Sequence, residues 1–391
     1  MKTICQIKIV DPYSVNSFHG EFNAAFFAVC SQITNDLSYV VSRSSWKNIR
    51  NILQQNNRTS TKNITTYRSP EGESKFWAFC RTLLGAVISL YYYITLKRDT
   101  ILIYSYTNQL SFCPILLLNK LLNKKIAFVL HGDLEMQLHQ VPIKNISWFY
   151  RLFHRIGMKY LIQDTSSQLL VLGDSIKNNL IKIFPQLKNN VISICHPYFH
   201  KPIQTLSHET KHQKLIIGTV GIMTKQKGVD DLISIANNFK EHIKKGDIEF
   251  RIIGTVANDI DRKQLSHIKY TEGNERLSIA DFQFGIKQLD YVLYLYPTNS
   301  YLLTASGAIL DAVKYDKPII TYPNPYFEYL LKDSDAGYII NNTTEAIRLI
   351  DRLLKNPADR HYHTDNRATI RRISIPDNAE SLSRQLKQKF L

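Results

Sequence analysis

Short apolar runs alternate with helix-like segments along most of this chain, and this alternation limits the possible folds more than any other feature. In the first half, strand-like runs at residues 4–10, 100–106 and 125–130 are each followed by a helical pattern or a loop. Buried parallel strands joined by helical crossovers have this pattern. We therefore expect an α/β protein with doubly wound parallel sheets covered by helices on both faces.

The alternation stops once, in a polar segment at residues 198–213, and then restarts. A chain of 391 residues is long enough for two domains. We predict an N-terminal α/β domain over residues 1–197, a linker over 198–213 and a second α/β domain over 214–375. A helix over 376–391 could pack back on the first domain. Two such domains would face a cleft, with ligands beyond the carboxyl ends of the strands.

The charge balance is strongly basic, with a formal net charge of +16. Such a surface attracts nucleic acid, anionic lipid or phosphorylated ligands. The chain has neither zinc-finger spacing nor an aromatic RNA-recognition signature, so we expect no nucleic-acid partner. The five cysteines have no metal or redox spacing, and the N-terminus has no apolar signal core. These features favour reduced thiols and a cytoplasmic location.

The segment over residues 76–98 is unusually apolar. Its unbroken part after Arg81 is shorter than the ~20 residues that a membrane-spanning helix needs. Our first expectation is a buried helix ahead of the strand at Thr100. A helix lying at a membrane surface is the second. A transmembrane span is the least favoured, because it would split the N-terminal sheet.

A glycine turn and two lysines follow the first strand of the second series, in "GTVGIMTKQKGVDDL". Gly221 lets the backbone approach a ligand, and Lys225 and Lys227 precede a helix that starts near Gly228. A helix start with nearby ammonium groups suits a phosphate. The alternative is an ordinary pair of exposed lysines on a loop. Gly254, at the end of the next strand, is assigned to the same site.

A second small-residue turn, Ser306-Gly307-Ala308, precedes a helix that carries Asp311. Free backbone N–H groups at a helix start suit a diphosphate. Asp311 lies four residues after Gly307 and would share its helix face, where a carboxylate could accept hydrogen bonds from sugar hydroxyls. The alternative is an acidic residue that is favoured only by the helix dipole.

Together these motifs resemble the donor-binding domain of GT-B fold glycosyltransferases, closest to the family 4 and group 1 enzymes. That group has Gly-Arg-Leu after a strand and then Lys-Gly before a helix. Here the counterparts are Gly221-Ile222-Met223 and Lys227-Gly228. Ile222 stands where the family has arginine, and Lys225 could supply the missing charge. The resemblance implies two Rossmann-like domains, the first binding the acceptor and the second a nucleotide sugar.

The same group has two glutamates with seven residues between them. Asp311 occupies the place of the second, and Leu303 that of the first. The resemblance implies that Lys227 and the Ser306-Gly307 backbone bind the diphosphate, and that Asp311 binds the ribose. Because Leu303 is not acidic, the catalytic group is sought in the N-terminal half.

Candidate catalytic residues follow two strands of that half. In the family, a glycine-rich turn after the first strand faces the cleft, which assigns His19 and Gly20 to an acceptor-side loop. Glu21 could be the general base that deprotonates the acceptor hydroxyl, or could merely stabilise a helix start. His131 resembles the family's strand-end histidine near the sugar, although a structural histidine is the alternative. Asp133 is another candidate base.

The resemblance implies a hexosyltransferase-type enzyme that needs no bound metal or other cofactor. It would transfer a sugar from a nucleotide-diphosphate donor to a saccharide or lipid-linked acceptor in cell-surface polysaccharide biosynthesis, of capsule or lipopolysaccharide. The alternatives are a GT-B sugar-nucleotide epimerase and a non-catalytic polyanion-binding protein. Arg151, Arg155 and Lys159 share one predicted helix face. That face either meets an anionic membrane surface, making the enzyme peripheral at the inner face of the cell membrane, or is simply solvated.

Overall fold

The chain forms two compact α/β units. The computed structural model describes residues 4, 6–58, 63–132, 134–135, 138, 146–162, 164–200, 214–271, 277–356 and 367–391. Unit 1 contains Met1–Phe199, Leu303–Ala305 and Arg372–Leu391, and unit 2 contains His200–Leu302 and Ser306–Arg371. Each unit has one parallel sheet, which confirms the predicted fold class of two Rossmann-like units.

Unit 1 has a seven-stranded parallel sheet in the order β3-β2-β1-β4-β5-β6-β7. Its strands are β1 (Gln6–Val10), β2 (Asp36–Ser42), β3 (Asn63–Tyr67), β4 (Thr100–Tyr104), β5 (Ile126–Leu130), β6 (Ser167–Val171) and β7 (Val191–Ser193). The strands β4, β5 and β6 are buried at every position, as strands covered on both faces must be. The strand order reverses between β1 and β4, so the carboxyl ends of these two strands border a crevice where ligands bind in such sheets.

Unit 2 has a six-stranded parallel sheet in the order β10-β9-β8-β11-β12-β13. Its strands are β8 (Leu215–Val220), β9 (Ile248–Ile253), β10 (Ile268–Tyr270), β11 (Tyr291–Tyr294), β12 (Ile319–Thr321) and β13 (Gly337–Ile339). The order reverses between β8 and β11. The glycine turn at Gly221 and the segment before Ser306 therefore both follow strands at the reversal point.

The helices lie between the strands in nearly every crossover. They are α1 (Gly20–Ile33), α2 (Arg43–Gln55), α3 (Lys75–Ile94), α4 (Gln109–Leu122), α5 (Ile146–Leu161), α6 (Asp174–Ile183), α7 (Val229–Asn238), α8 (Lys240–Lys245), α9 (Ile279–Lys287), α10 (Ala308–Lys314), α11 (Pro325–Leu331), α12 (Thr343–Lys355), α13 (Arg367–Ile373) and α14 (Ile375–Phe390). In unit 1, α3 packs on α4 and α4 on α5, whereas α1 packs on α2 and α14.

The C-terminal helix α14 belongs to the core of unit 1. Leu382 and Leu386 are fully buried in that core. Gln385 fixes the helix to β7, because its side chain accepts from Ser193 N at 3.0 Å and donates to Ser193 O at 2.5 Å. Tyr198 and Phe199, which the sequence placed in the linker, are also buried, with Phe199 in the same core. The rest of the predicted linker, residues 201–213, lies outside the described residues.

Helix α3 does not meet the first expectation for the apolar segment 76–98, a buried helix. Only one stripe of it is buried, and this stripe consists of Arg81, Thr82, Gly85, Ser89 and Tyr93. Most of its large apolar side chains point away from the unit. The expectation failed because overall apolarity says how hydrophobic a helix is, but not which face the packing against the sheet requires.

Candidate functional site

Two loops of unit 2 meet at the carboxyl ends of β8 and β9. Gly221 N donates to Ile253 O at 2.9 Å. Gly254 has a φ of +147°, and a Cβ there would lie 2.2 Å from the carbonyl oxygen of Gly221. Only glycine fits this approach and this backbone conformation. Gly221 and Gly254, both predicted as site residues, therefore lie together as bare backbone at the sheet edge.

Lys227 reaches the same place from the following turn. Lys225–Lys227 form a 3₁₀ turn, and Gly228, with a φ of +77°, is the N-cap of α7. A Cβ built on Gly221 would lie 3.9 Å from Lys227 Nζ and also 3.9 Å from Ala308 Cβ. The structure thus brings together the β8 loop, the lysine turn and the start of α10. Lys225, by contrast, is exposed at the beginning of its turn.

The ammonium group of Lys227 is in an unfavourable environment for a cation. Burial lowers the pKa of Lys227 to about 8. Its Nζ lies 5.8 Å from the ring centre of Tyr296. Among the described residues, no carboxylate forms an ion pair with it. A partly buried cation without an anionic partner is well suited to bind an anionic ligand.

The predicted small-residue turn leads into α10. Ser306 is buried, and Tyr294 Oη donates to Ala308 O at 2.6 Å. Gly307 has a φ of −70°, and a Cβ there would meet nothing within 4 Å. Neither the backbone nor the neighbouring protein atoms therefore require glycine at this position. Burial raises the pKa of Tyr294, and the charges of Tyr296 and Asp311 add to this effect.

The place of the family's first glutamate is occupied by a buried apolar side chain. Leu303 is fully buried and is counted with unit 1. Its backbone N donates to Glu135 Oε2 at 2.7 Å. An acid at this position would therefore be held away from water. Ile222, in the place of the family's arginine, is half exposed.

Three histidines gather at the carboxyl edge of the sheet in unit 1, and we call His19, His131 and His196 the histidine cluster. The rings of His19 and His131 are 4.4 Å apart between centroids. The ring of Phe22 lies 4.6 Å from that of His131 and 5.2 Å from that of His196. His196, which follows β7, lies with the two predicted site histidines. No group of three or more metal-ligating side chains in the described residues is arranged to hold a metal ion.

The hydrogen bond of His131 fixes which of its nitrogens accepts. His131 Nε2 lies 3.0 Å from Ser105 O. A carbonyl oxygen only accepts, so Nε2 carries the proton and Nδ1 is the acceptor nitrogen of the neutral ring. Burial lowers the pKa of His131 to about 4, so the ring is neutral at neutral pH. Burial likewise lowers the pKa of His196 to about 4 and that of His19 well below its usual value.

An aromatic cluster of Tyr13, Phe18 and Tyr106 lies beside these histidines. The rings of Tyr13 and Tyr106 stack with 4.7 Å between centroids. The Phe18 ring packs edge-on, 5.7 Å from Tyr13, and is 37% exposed. Sequence reasoning missed these side chains, although their places after β1 and β4 offered a signal. Aromatic rings at a strand-end crevice provide flat surfaces for a ligand.

Buried Asp11 positions the loop that carries His19. Asp11 Oδ1 accepts from Tyr13 N at 3.1 Å and from Ser14 N at 2.9 Å. Its Oδ2 accepts from Asn23 Nδ2 at 2.7 Å, which ties the loop to α1. Burial raises the pKa of Asp11 despite these hydrogen bonds. His19 itself has a φ of +53°, a conformation that histidine adopts more readily than most residues.

The other predicted site residues of unit 1 are Gly20, Glu21 and Asp133. Gly20 is buried, and a Cβ there would lie 2.1 Å from Asn48 Oδ1, so packing against α2 explains this glycine. Glu21 is exposed in the first turn of α1, whereas Phe22 is the side chain that reaches the histidine cluster. Asp133 lies outside the described residues.

The comparisons with known proteins agree with the resemblance. Residues 201–369 match the family model of glycosyl transferases group 1. No curated protein matches the chain. All the solved structures described below share less than 15% identity with it, so they bear on the fold alone.

Several solved glycosyltransferases have the same fold over nearly the whole chain. HepE from Anabaena, in complex with UDP, is 11% identical with a TM-score of 0.59, over 98% of this chain and 100% of that one. A mutant TarM from S. aureus, in complex with fondaparinux, alpha-GlcNAc-glycerol and UDP, is 13% identical with a TM-score of 0.60, over 98% and 99%. A glycosyltransferase from Rickettsia africae is 14% identical with a TM-score of 0.55, over 99% of each chain. The GT-B fold predicted from the sequence is confirmed.

Proposed function

We propose, on the premise that residues 201–369 match the glycosyl transferases group 1, that this protein is a glycosyltransferase. It transfers a hexose from a nucleotide-diphosphate sugar to a saccharide or lipid-linked acceptor. HepE and TarM have been crystallised with UDP, so UDP-sugars are the first donors to test. The family match supports the reaction class, and the chemistry of unit 2 supports the donor class.

The environment of Lys227 is the observation that carries this proposal. A partly buried ammonium whose pKa is lowered to about 8 lies beside the bare backbone of Gly221, at the carboxyl edge of a parallel sheet. A donor diphosphate would supply the negative charge that the described protein groups do not. Gly307 leaves open space at the start of α10 for the same ligand. Asp311, in α10, is then the candidate acceptor of hydrogen bonds from the ribose hydroxyls.

The transfer step requires a leaving group and a base. The acceptor oxygen forms a bond to the anomeric carbon while the bond from that carbon to the diphosphate oxygen breaks. The acceptor proton passes to a base, and the nucleoside diphosphate departs with the electron pair. Lys227 and backbone N–H groups stabilise the charge that develops on the diphosphate, so the step needs no bound metal or other cofactor.

The candidate bases belong to unit 1. His131 presents Nδ1 as its acceptor nitrogen and is neutral at neutral pH, so it can accept the proton or orient the hydroxyl. Glu21 and Asp133 remain alternative bases. The aromatic cluster of Tyr13, Phe18 and Tyr106 provides a flat apolar surface for an acceptor sugar ring. Because His131 has a low pKa, it acts without a prior deprotonation step.

We place this reaction in the assembly of a cell-surface polysaccharide, such as capsule or lipopolysaccharide. The enzyme would work in the cytoplasm, peripherally at the inner face of the membrane. The net charge of +16 supports this location, because it favours an anionic surface on which a lipid-linked acceptor resides.

A panel of nucleotide sugars tests the proposal directly. The purified protein is incubated with UDP-, GDP-, ADP- and dTDP-hexoses, with and without a lipid extract, and released nucleoside diphosphate and products are measured. We expect release with one donor that depends on added acceptor and persists in a metal chelator. Epimerised sugar nucleotide formed without acceptor would instead identify an epimerase. Salt-sensitive nucleic-acid binding without nucleotide binding would identify a polyanion-binding protein.

Site variants separate donor binding from chemistry. Asp311→Ala should weaken binding of the nucleoside diphosphate, whereas Glu21→Gln should preserve that binding and lower turnover. If Asp311→Ala preserves both binding and turnover, the donor-site assignment is wrong. Lower turnover in His131→Ala but not in Glu21→Gln would assign the base to His131.

A further inference from the structure

Helix α3 exposes its apolar side chains and buries a polar stripe, which is the reverse of the usual surface helix. Its exposed apolar side chains are between 41% and 65% exposed, and they are Phe76, Trp77, Phe79, Leu83, Val87, Tyr91 and Ile94. The stripe that faces the unit contains Arg81, Thr82 and Ser89. A surface helix normally buries its apolar stripe and exposes its polar one.

Hydrogen bonds hold α3 in this orientation. Arg81 Nη1 donates to Gly72 O at 2.6 Å. Asn108 Nδ2 donates to Thr82 O at 2.8 Å, and Tyr93 Oη donates to Asn119 Oδ1 at 2.8 Å. Rotating the helix to bury its apolar side would break all of these contacts and bury unpaired polar groups. The outward direction of the apolar side chains is therefore built into unit 1.

The neighbouring helices extend this surface. Leu117 and Leu121 of α4 are 49% and 83% exposed, and Phe149 and Leu152 of α5 are 55% and 37% exposed. We call these four residues and the seven of α3 the apolar helical face. The three helices carry more exposed large apolar side chains than the rest of the described chain. Contiguous exposed apolar surface of this kind marks a binding face.

The charge of the same helices indicates what the face binds. None of the three helices contains an aspartate or glutamate. Arg155 and Lys159 are exposed on α5 and follow Leu152 at helical spacing, so they continue its outward side. Lys120 is exposed on α4. Within these three helices the only charged side chains are basic, and apolar side chains beside basic ones match the boundary between headgroups and acyl chains of an anionic membrane.

We propose that the apolar helical face docks unit 1 on an anionic lipid bilayer, with α3 lying in the interface. One helix in the described part of the chain, α3, is long and apolar enough to cross a membrane. Its hydrogen-bonded polar stripe excludes that arrangement, because crossing would remove Arg81, Asn108 and Tyr93 from their partners. Docking does not depend on the proposed sugar transfer.

The docked helix also supports the loop of the histidine cluster. A Cβ on Gly85 would lie 2.4 Å from Pro12 O, so α3 packs directly on the loop after β1. The guanidinium of Arg81 lies 5.4 Å from the ring centre of Tyr13. The face therefore places the aromatic cluster one helix away from the membrane, where a lipid-linked acceptor would be presented.

Vesicle flotation with the full chain tests the proposal. The vesicles are phosphatidylcholine alone, or phosphatidylcholine with about 30% phosphatidylglycerol. The test variant is Leu83→Gln/Val87→Gln, and the matched control is Phe284→Gln, which removes an exposed phenylalanine of unit 2. We expect binding to the anionic vesicles that weakens in salt, and a loss of at least about tenfold in the test variant only. Arg155→Gln/Lys159→Gln should weaken binding to anionic vesicles alone.

Three outcomes would overturn the proposal. The first is wild-type protein that does not float with anionic vesicles. The second is a lipid-free, concentration-dependent dimer that Leu83→Gln/Val87→Gln abolishes without changing flotation, which would identify the face as an interface between copies. The third is protein that resists extraction at alkaline pH, which would identify a membrane-spanning helix. UDP binding in lipid-free buffer should be equal in all variants, so a failure of docking is distinguishable from a failure of the proposed transfer.

Discussion

At the scale of single residues, the proposed donor site depends on one cation, Lys227, whose charged form is disfavoured by burial in the free protein. Burial lowers the pKa of Lys227 to about 8, so a fraction of the side chain is neutral at mildly alkaline pH. A bound diphosphate favours the charged form. Ligand binding and proton binding at Lys227 are therefore linked, and the affinity must depend on pH.

The affinity for UDP should fall as pH rises through about 8. Below this pKa the ammonium is present before binding, whereas above it a proton must be taken up, so Kd should rise by up to about tenfold per pH unit. Titration calorimetry between about pH 7.5 and 9 measures this slope. Lys227→Met should bind at least about tenfold more weakly and lose the slope, while Lys240→Met, at an exposed site of unit 2, should keep both. A slope that persists in Lys227→Met would contradict the assignment.

Two glycines of unit 2 should respond differently to alanine. Gly307→Ala should change the free energy of unfolding by less than about 0.5 kcal/mol, because its φ is ordinary and its Cβ would meet no atom. It should nevertheless weaken UDP binding, since the Cβ would occupy ligand space. Gly254→Ala should cost about 2–4 kcal/mol, because the Cβ would collide with Gly221. Denaturant unfolding and calorimetry measure both, and unchanged UDP binding by Gly307→Ala would remove Gly307 from the site.

Local motifs in the sequence were enough to propose some of the candidate site residues. Gly221 and Lys227 lie within a few residues of each other after a strand, so a short pattern was sufficient. The histidine cluster and the aromatic cluster combine loops after β1, β4, β5 and β7, and only the sheet order brings these loops together. His196, Tyr13 and Tyr106 belong to no short motif, and their places after strands were the one signal that the sequence offered for them.

At the scale of elements, α5 contains a buried polar side chain, His154, that makes no hydrogen bond among the described residues. His154 is fully buried, and its ring stacks on Phe112 with 4.6 Å between centroids. Neither ring nitrogen has a hydrogen-bond partner among the described residues. Burial lowers the pKa of His154 to about 4. The helix therefore contains an unsatisfied polar group at a position where an apolar side chain would fit.

His154→Leu should stabilise the protein by about 1–3 kcal/mol at pH 7, because it removes buried unpaired nitrogens. Wild-type stability should fall between about pH 6.5 and 4, where the unfolded state binds a proton that folded His154 does not, at about 1.4 kcal/mol per pH unit. Denaturant unfolding at several pH values measures both effects. In His154→Gln, this contribution to the loss of stability at acid pH should be absent, and the free energy of unfolding at pH 7 should not rise. A loss of stability in His154→Leu would contradict the buried, unpaired assignment.

Buried strands could be predicted from the sequence, whereas an exposed edge strand and a helix with an outward apolar side could not. Short apolar runs correctly located β1, β4, β5 and β8. β3 was missed because it lies at the sheet edge and is mostly exposed, so its residues show no apolar run. α3 was assigned to the wrong environment because its apolar residues face outward.

At the scale of the whole molecule, unit 1 is discontinuous in sequence. It takes most of its residues from the first half of the chain and its closing helix α14 from the end. Both Leu382 and Leu386 are completely buried in its core. The stability of the N-terminal half therefore depends on residues at the opposite end of the sequence.

Leu382→Ala should destabilise unit 1 by about 2–5 kcal/mol, since it leaves a cavity in a closed core. Hydrogen exchange followed by mass spectrometry should show faster exchange in β1 and β4 and little change in β8 and β9. The matched control Leu232→Ala, in the core of unit 2, should show the reverse. Equal effects on both sheets in Leu382→Ala would mean that the two units unfold as one.

The position of α14 also constrains how the protein is made. A ribosome releases the N-terminal residues first, yet unit 1 lacks part of its core until α14 has emerged. Unit 2 draws only on residues 200–371, so its sequence is complete earlier. During synthesis the sheet of unit 1 therefore stays incompletely covered until α14, which follows unit 2 in the chain, is made. Released chains truncated before Ile375, the first residue of α14, should therefore have a unit 2 that resists protease and a unit 1 that does not.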